Sequence, residues 1–347
     1  MLDKLHEYRF VKPARIITMR QVAEAVGVAV STVSKGLRND PSIPKDRCLE
    51  IQNAANRLGY RPHPLVANLM SQMHHHRRRS DPYHIAWIDL WPKGGDQGID
   101  VMSVAPVLRG ASERAHDLGY GIEVYPAGRE GLTPESLHRM LTTRGQWGVI
   151  IPPVPAAAGT YPLDLRGLTG VTIGTSLHEP VMHRVSPNHF QGCVLAFGRL
   201  HAKGFRRIGL VLTYSMNERV EGKWLGAFHY CQQSLPKRDR VTPLLVGKED
   251  GDAIERWLRL EHPDAVLVAE NLNWPETPRS EDHAVTKPYT SWLMRQTGSG
   301  GNAGLDLQEE QLGRVAVEMV VAQIHRNERG SPTIPHTVLI DAVWVEP

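Results

Sequence analysis

The chain has 347 residues, of which 41% are hydrophobic and 22% charged. That length suffices for two or three structural units around a large core. The formal charge of +3 conceals an asymmetry: residues 1–82 carry fourteen Lys/Arg against seven Asp/Glu, and residues 83–347 carry 26 against 30. A net +7 module on a net −4 body suits a phosphate-binding headpiece attached to a soluble sensor. No apolar run approaches the roughly 20 residues that span a bilayer. Residues 1–8, with Asp3 and Glu7, lack the apolar core of an export signal. Cys48, Cys193 and Cys231 are far apart and form no C-x-x-C pair, so neither a zinc site nor a disulfide framework is expected. Reduced thiols in the cytoplasm, with no membrane partner, are the simplest expectation.

The first elements are two short helices within residues 17–35, joined by a tight turn. Thr18 is suited to cap the first, because its hydroxyl oxygen accepts from free first-turn amides. Val22, Ala23 and Val26 share an apolar face, and Gly27 stands where a left-handed conformation is needed. Val28 and Val33 are expected to pack the second helix on the first. Val30, Ser31, Ser34 and Lys35 then face outward, a surface suited to base edges in the major groove. A third helix is expected over 45–58, with Ile51, Ala54, Ala55 and Leu58 as its apolar stripe and Gly59 as its stop. Tyr60-Arg61-Pro62-His63-Pro64 and an apolar segment over 65–70 follow. Residues 71–82 contain the run His74-His75-His76-Arg77-Arg78-Arg79. Three readings of that run stand side by side: phosphate contact strengthened by histidine protonation, opportunistic metal binding, and a solvated tether.

Beyond residue 82, short strands alternate with helices. Strands are expected at 83–91, 122–125, 147–151, 171–174, 208–212, 242–246, 265–269 and 338–345. Helices are expected at 104–118, 134–143, 188–202, 217–234, 251–260 and 308–326. Such alternation means parallel α/β layers, with ligands at the carboxyl ends of the strands. Residues 271–301, with Pro275, Pro278, Pro288 and a glycine-rich run, yield no assignable helix, and 289–293 fits strand or helix. No G-x-S-x-G, Walker A, H-E-x-x-H or G-x-G-x-x-G motif appears in its required context. No catalytic residue, cofactor or metal site is therefore expected.

Residues 18–70 resemble the DNA-binding headpiece of the lactose-repressor (LacI/GalR) family. Thr18, Val22-Ala23, Gly27-Val28, Thr32-Val33-Ser34-Lys35, Leu58-Gly59-Tyr60 and Pro62 carry the resemblance in order. Val26 replaces the usual Ala before the turn glycine, and Ala29 replaces the usual Ser that caps the recognition helix. Lys35 replaces a frequent Arg, which reduces bidentate guanine reading to a point charge. The body is similar to the family's periplasmic-binding-protein-like core. Gly110, Gly119-Tyr120, Asn188-His189-Phe190-Gln191-Gly192, Gly204-Phe205-Arg206-Arg207-Ile208-Gly209, Ala303-Gly304-Leu305-Asp306, Gly313 and Ala316-Val317 match it. The implied fold class is an all-α helix-turn-helix headpiece plus an α/β core of two parallel-sheet subdomains joined by three crossovers. The implied division is an N-terminal extension over 1–16, a headpiece over 17–62, a hinge helix and basic linker over 63–82, and an effector-binding and dimerisation core over 83–347.

The resemblance also implies roles. Arg20, Thr32 and Ser34 would position phosphates, and Val30, Ser31 and Lys35 would face bases. Thr18, Arg38, Tyr60 and His63 are further candidate DNA contacts. Pro64 would begin the hinge helix, and Leu69 (or Met70, with one residue inserted) would wedge into the minor groove. The plainer reading of Leu69 is a short apolar helix packed on its own domain. Two headpieces on a two-fold axis would read a pseudo-palindromic operator on double-stranded DNA. With no leucine heptad tail before Pro347, a homodimer is expected rather than a tetramer built that way. Candidate ligand residues are Asp89 and Trp91 at the end of the first strand, Lys223 where the family often has an effector-gripping Arg in R-x-x-G, and Asn271 at a later strand end. Trp91 would stack on a sugar face or a planar base. Each has a plain alternative: Trp91 as core, Lys223 as solvated helix, Asn271 as turn former. Pro187 stands where a family Asp is common. The expected function is a transcription regulator of repressor type, tuned by a small-molecule effector that is carbohydrate-like in preference to a purine. The alternatives are a solute-binding module with degenerate DNA specificity and a sugar-processing α/β enzyme.

Overall fold

The computed structural model describes residues 17–37, 42–58, 60, 83–91, 104–127, 132–155, 159–247, 250–270, 272, 288–294 and 303–347. The chain divides into two compact units, Met1–Ser80 and Asp81–Pro347.

In the first unit α1 (Met19–Val26), α2 (Val30–Leu37) and α3 (Lys45–Leu58) pack around one small core. Val22, Ala23, Val33, Ile51 and Ala55 are its buried members, with Val26, Val28 and Tyr60 against them. Gly27 is left-handed at φ 69°, and its amide closes α1 on the Ala23 carbonyl. Gly36 is required by packing: a Cβ there would meet Ile51 Cδ1 at 2.5 Å. The expected stripe of α3 needs one correction. Leu58 is 39% exposed, and buried Cys48 takes part instead. The last turn of α3 has passed beyond the small three-helix core.

The second unit holds two six-stranded sheets. The first has the order β13-β7-β5-β3-β1-β2, formed by β1 (Tyr83–Asp89), β2 (Tyr120–Pro126), β3 (Gly148–Ile151), β5 (Thr169–Ile173), β7 (His183–Pro187) and β13 (Thr337–Ile340). All its pairings are parallel. The second has the order β14-β12-β11-β10-β8-β9, from β8 (Ile208–Thr213), β9 (Leu244–Val246), β10 (Ala265–Val268), β11 (Tyr289–Trp292), β12 (Gly304–Asp306) and β14 (Val343–Val345). There β14 alone runs antiparallel, against β12. The short strands β4 (Gly159–Thr160) and β6 (Leu177–Glu179) pair separately. Each large sheet has an apolar cluster on either face, as parallel sheets require.

Helices α4 (Val104–Asp117), α5 (Pro134–Arg144) and α10 (Glu309–Arg326) belong to the first subdomain. Helices α6 (His189–Ala202), α7 (Tyr214–Arg219), α8 (Lys223–Gln232) and α9 (Gly251–Glu261) belong to the second. The chain therefore crosses three times, after β7, after β12 and between β13 and β14. Two crossings are tied together: the Asn188 amide Nδ2 donates to Asp341 Oδ1 at 2.8 Å. Helices α4 and α10 touch backbone to backbone. A Cβ on Gly313 would lie 1.9 Å from the Val107 carbonyl oxygen, and one on Gly110 would lie 2.0 Å from that of Glu310.

Three expectations fail here. The helix expected over 217–234 is broken into α7 and α8, because Glu221 (φ 54°) and Gly222 (φ 65°) are left-handed. The last strand expected over 338–345 is two strands in two different sheets, with the third crossing between them. Strands β7 and β12 were not expected; polar His183-Arg184 and the brevity of β12 hide them from an apolar-run criterion. Residues 289–293 resolve as a strand.

Candidate nucleic-acid interface and core cleft

The face of α2 is set by which side chains α1 and α3 consume. Val33 and Gly36 are buried, and Thr32 and Ser34 are half-buried. Val30 (43% exposed), Ser31 and Lys35 point to solvent. Ala29 occupies the capping position by its backbone: its carbonyl accepts from Thr32 and Val33 at 2.9 and 3.1 Å. An Ala side chain offers no cap to the amides above it. The Lys35 ammonium donates to Ser42 Oγ at 3.3 Å. Arg47 reaches the Val26 carbonyl and Gln52 the Gly36 carbonyl, each at 3.3 Å, so α3 satisfies the free carbonyl ends of both preceding helices. Thr18 makes a capping box with Gln21, which commits its hydroxyl to the helix. Arg20 is exposed in the first turn of α1. Tyr60 packs on the core with its amide on the Ala55 carbonyl, and burial raises its phenol pKa. Arg38, Gly59, His63, Leu69 and the His74–Arg79 run lie outside the described residues.

In the second unit a cavity lies where the carboxyl ends of strands from both sheets converge. Pro153 follows β3, Gly174-Thr175-Ser176 follow β5, and Pro187 ends β7. Across from them, Met216, Arg219 and Val220 follow β8, Met294 follows β11, and Leu307 follows β12. Its volume is about 30 Å³, room for roughly two waters. The two walls are joined by Arg219, only 8% exposed. Its guanidinium donates to the Val154 carbonyl at 2.9 Å and to that of Pro155, and its own carbonyl accepts from Thr175 Oγ1. Burial lowers the Arg219 pKa, and the charge of Glu270 opposes that shift. Glu270 accepts from the Thr213 hydroxyl.

His189 begins α6 on the cavity wall. It is 6% exposed, stands edge-on to Trp224 at 4.8 Å between ring centroids, and its Nδ1 has no partner among the described residues. Burial first, and the Lys223 charge second, push its pKa down to about 3, so the ring is neutral at pH 7.

Among the described residues, none of the side chains expected to meet a ligand (Asp89, Trp91 and Lys223) lines this cavity. Asp89 Oδ1 accepts from the Trp91 amide at 3.0 Å, and the Trp91 indole donates to the Pro153 carbonyl at 2.8 Å. Trp91 thus braces the wall from behind. Lys223 pairs with Glu221 at the start of α8. Asn271 lies outside the described residues. The cation that lines the cavity is Arg219 and not Lys223. Arg219 stands one helical turn before Lys223, at the end of a helix capped by Thr213, and Arg219-Val220-Glu221-Gly222, itself an R-x-x-G, was the available signal.

The chain carries a helix-turn-helix unit and, in its second unit, two parallel-sheet subdomains with a cleft at their strand ends, a periplasmic-binding-protein-like architecture. Residues 18–63 match a family model described as bacterial regulatory proteins, lacI family. The match covers the three-helix unit and not the core. No curated protein sequence matches the chain. Among solved structures, a LacI transcriptional regulator from Lactobacillus brevis shares 13% identity over 75% of this chain and 99% of its own, at a TM-score of 0.52. A putative transcription regulation repressor of the LacI family from Corynebacterium glutamicum shares 14% over 76% and 97%, at 0.50. The lac repressor bound to ONPG shares 16% over 96% and 99%, at 0.48. At these identities the likeness to the first two is one of fold. Among the described residues no helix is long and apolar enough to cross a membrane.

Proposed function

We propose that the protein is a cytoplasmic, sequence-specific repressor that binds a pseudo-palindromic operator as a homodimer and is tuned by a small molecule held between its core subdomains. The observation that carries the DNA reading is the exposed face of α2, where Val30, Ser31 and Lys35 stand clear while Val33 and Gly36 anchor the helix. In this reading Lys35, Ser31 and Val30 face base edges, and Arg20, Thr32 and Ser34 meet phosphates together with Thr18, Arg38, Tyr60 and His63. The headpiece spans 17–62 and the hinge and basic linker 63–82, where Leu69 wedges into the minor groove. The core spans 83–347. Its effector enters the cleft at the strand ends, and carbohydrate-like molecules are the first class to screen. A change in subdomain angle alters the hinge and so the operator affinity, a reciprocal coupling typically of about 1–3 kcal/mol. No catalytic step or cofactor is assigned.

A second reading is a solute-binding module whose headpiece has lost operator specificity, favoured by the uncapped start of α2 at Ala29. Selection of duplexes from a random DNA library at near-physiological salt separates the two. Recovery of a pseudo-palindrome with a central pyrimidine–purine step supports the repressor. Recovery of no motif, with binding that vanishes as salt rises, would sink it in favour of the module.

A further inference from the structure

We propose that the first core subdomain carries a second duplex-binding surface at the amino ends of its strands, where Arg329, His325 and His336 meet backbone phosphates of double-stranded DNA, more strongly as the two histidines protonate. This rests on the reading of the chain as a DNA-binding regulator, and it assigns a DNA contact outside the helix-turn-helix unit.

The surface lies at the opposite ends of the strands from the cleft. There β1 begins at Tyr83, β2 at Tyr120, β3 just after Trp147 and β7 at His183, and α10 ends at Arg326. Contacts join these ends into one patch. The Tyr120 hydroxyl lies 3.3 Å from His325 Nε2. Arg326 holds Glu328 through two hydrogen bonds of 2.6 and 2.8 Å. The Arg329 guanidinium stands over the Trp147 ring, 4.8 Å from its centroid, and the next amide, of Gly330, donates to the Leu168 carbonyl at 2.8 Å. His336 stacks on His183 with 4.9 Å between ring centroids, and its amide donates to His183 Nδ1 at 3.0 Å.

Charge sorts the roles. Among the described contacts of the patch, Glu328 is the one carboxylate, and Arg326 occupies both of its oxygens. Arg329 Nη1 is buried with no hydrogen-bond partner among the described residues. Burial lowers the Arg329 pKa, yet a guanidinium stays charged in proteins. A part-buried cation without a counter-ion is stabilised by an anion brought to it. His183 has a different part. Burial first, then the charges of His336 and Arg326, lower its pKa against the pull of Glu328, and its Nδ1 already accepts the His336 amide. His183 therefore stays neutral and seats the His336 ring. His325 and His336 are exposed. His325 stands in the last turn of α10, where helix carbonyls favour a cation. In ordinary surroundings histidine changes charge between about pH 8 and pH 5. Arg326 and Glu328 cancel, so protonation of both exposed rings takes the patch from one uncompensated positive charge, on Arg329, to three. The exposed rings of Tyr83 and Trp147 flank these charges, and a tyrosine hydroxyl is itself a phosphate donor. A duplex is favoured over an acidic protein because the same chain presents the α2 face to base edges, and because β1 opens the second unit inside this patch.

Fluorescence anisotropy of the full chain on a random-sequence duplex, titrated with salt at pH 6 and pH 8, tests this in wild type and in the triple variant Arg329→Gln, His325→Gln, His336→Gln. Each phosphate contact adds about 0.9 to the slope of log affinity against log salt. Wild type should be steeper than the variant by about 1 at pH 8 and by about 2–3 at pH 6. Histidines elsewhere in the chain titrate in both proteins, so the difference isolates this patch. Equal slopes at both pH values would overturn the proposal while leaving the helix-turn-helix reading in place. A difference that does not grow from pH 8 to pH 6 would refute the part given to the histidines. Wild type that binds no duplex at any salt would overturn both readings. Should the variant melt early, wild type decides: diethyl pyrocarbonate modifies accessible histidines, and excess duplex at pH 6 must shield His325 and His336. Equal labelling of both rings with and without duplex refutes the contact.

Discussion

Lys35 and His189 show how one side chain's surroundings set its use. Lys35 sits on the solvent face of α2, with its nearest partner the Ser42 hydroxyl, so its charge is available to a duplex. Lys35→Ala is expected to weaken operator binding by about 1–3 kcal/mol in a gel shift, with less effect on random duplexes. Equal loss on both would show a phosphate contact alone. His189 is the opposite case. Its folded pKa of about 3 lies below the ordinary 6.5, so the unfolded chain takes up a proton that the folded chain refuses. The stability due to neutral His189 is complete above pH 6.5 and is lost as pH falls toward 3. Denaturation midpoints across that window should fall less steeply in His189→Gln than in wild type. Identical slopes would contradict the burial assigned to this ring. Arg219 opens an R-x-x-G of its own, Arg219-Val220-Glu221-Gly222, and His189 lies in the matched segment 188–192, but the sequence does not show which of Arg219 and Lys223 lines the cleft; a helix break after β8 and a crossing after β7 bring Arg219 and His189 to one wall.

At the scale of elements, two glycines in helices respond in opposite ways. Gly313 in α10 leaves no room, since a Cβ would strike the Val107 carbonyl of α4. Gly313→Ala should cost at least about 1–3 kcal/mol in urea unfolding, the usual range for overpacking. Among the described residues, nothing lies within 4 Å of the missing Cβ of Gly198 in α6. Gly198→Ala should stabilise by about 0.5–1 kcal/mol by lowering unfolded-state entropy. An unchanged midpoint for Gly313→Ala would mean the two helices sit farther apart than described. Helix positions were legible because amphipathic periodicity and caps are local: α3, α5 and α9 begin where sequence reasoning set them. The α7–α8 break was not legible, because Glu221 and Gly222 interrupt an otherwise helical composition through two backbone angles.

For the whole molecule, three crossings join the two core subdomains. Asn188 and Asp341 stand on two of them and share a 2.8 Å hydrogen bond, while Arg219 bridges the walls beyond. Asp341→Ala should leave the Lys35 face intact and change the effect of a bound effector on operator affinity, within the 1–3 kcal/mol typical of such coupling. An unchanged effector response would remove that bond from the coupling route. The charge division between residues 1–82 and 83–347 acts at the same scale: operator affinity should fall linearly in a log–log plot against salt.

By itself the sequence determined the helix-turn-helix and the alternation of strands and helices. These rest on interactions between residues a few positions apart, such as the Thr18 capping box and the left-handed Gly27. Only the tertiary structure decided that residues 337–345 divide between two sheets, and that Arg219, rather than Lys223, faces the cleft. Both outcomes depend on contacts between segments far apart in the chain, as when Arg219 meets the carbonyls of Val154 and Pro155. Local periodicity contains no term for such partners.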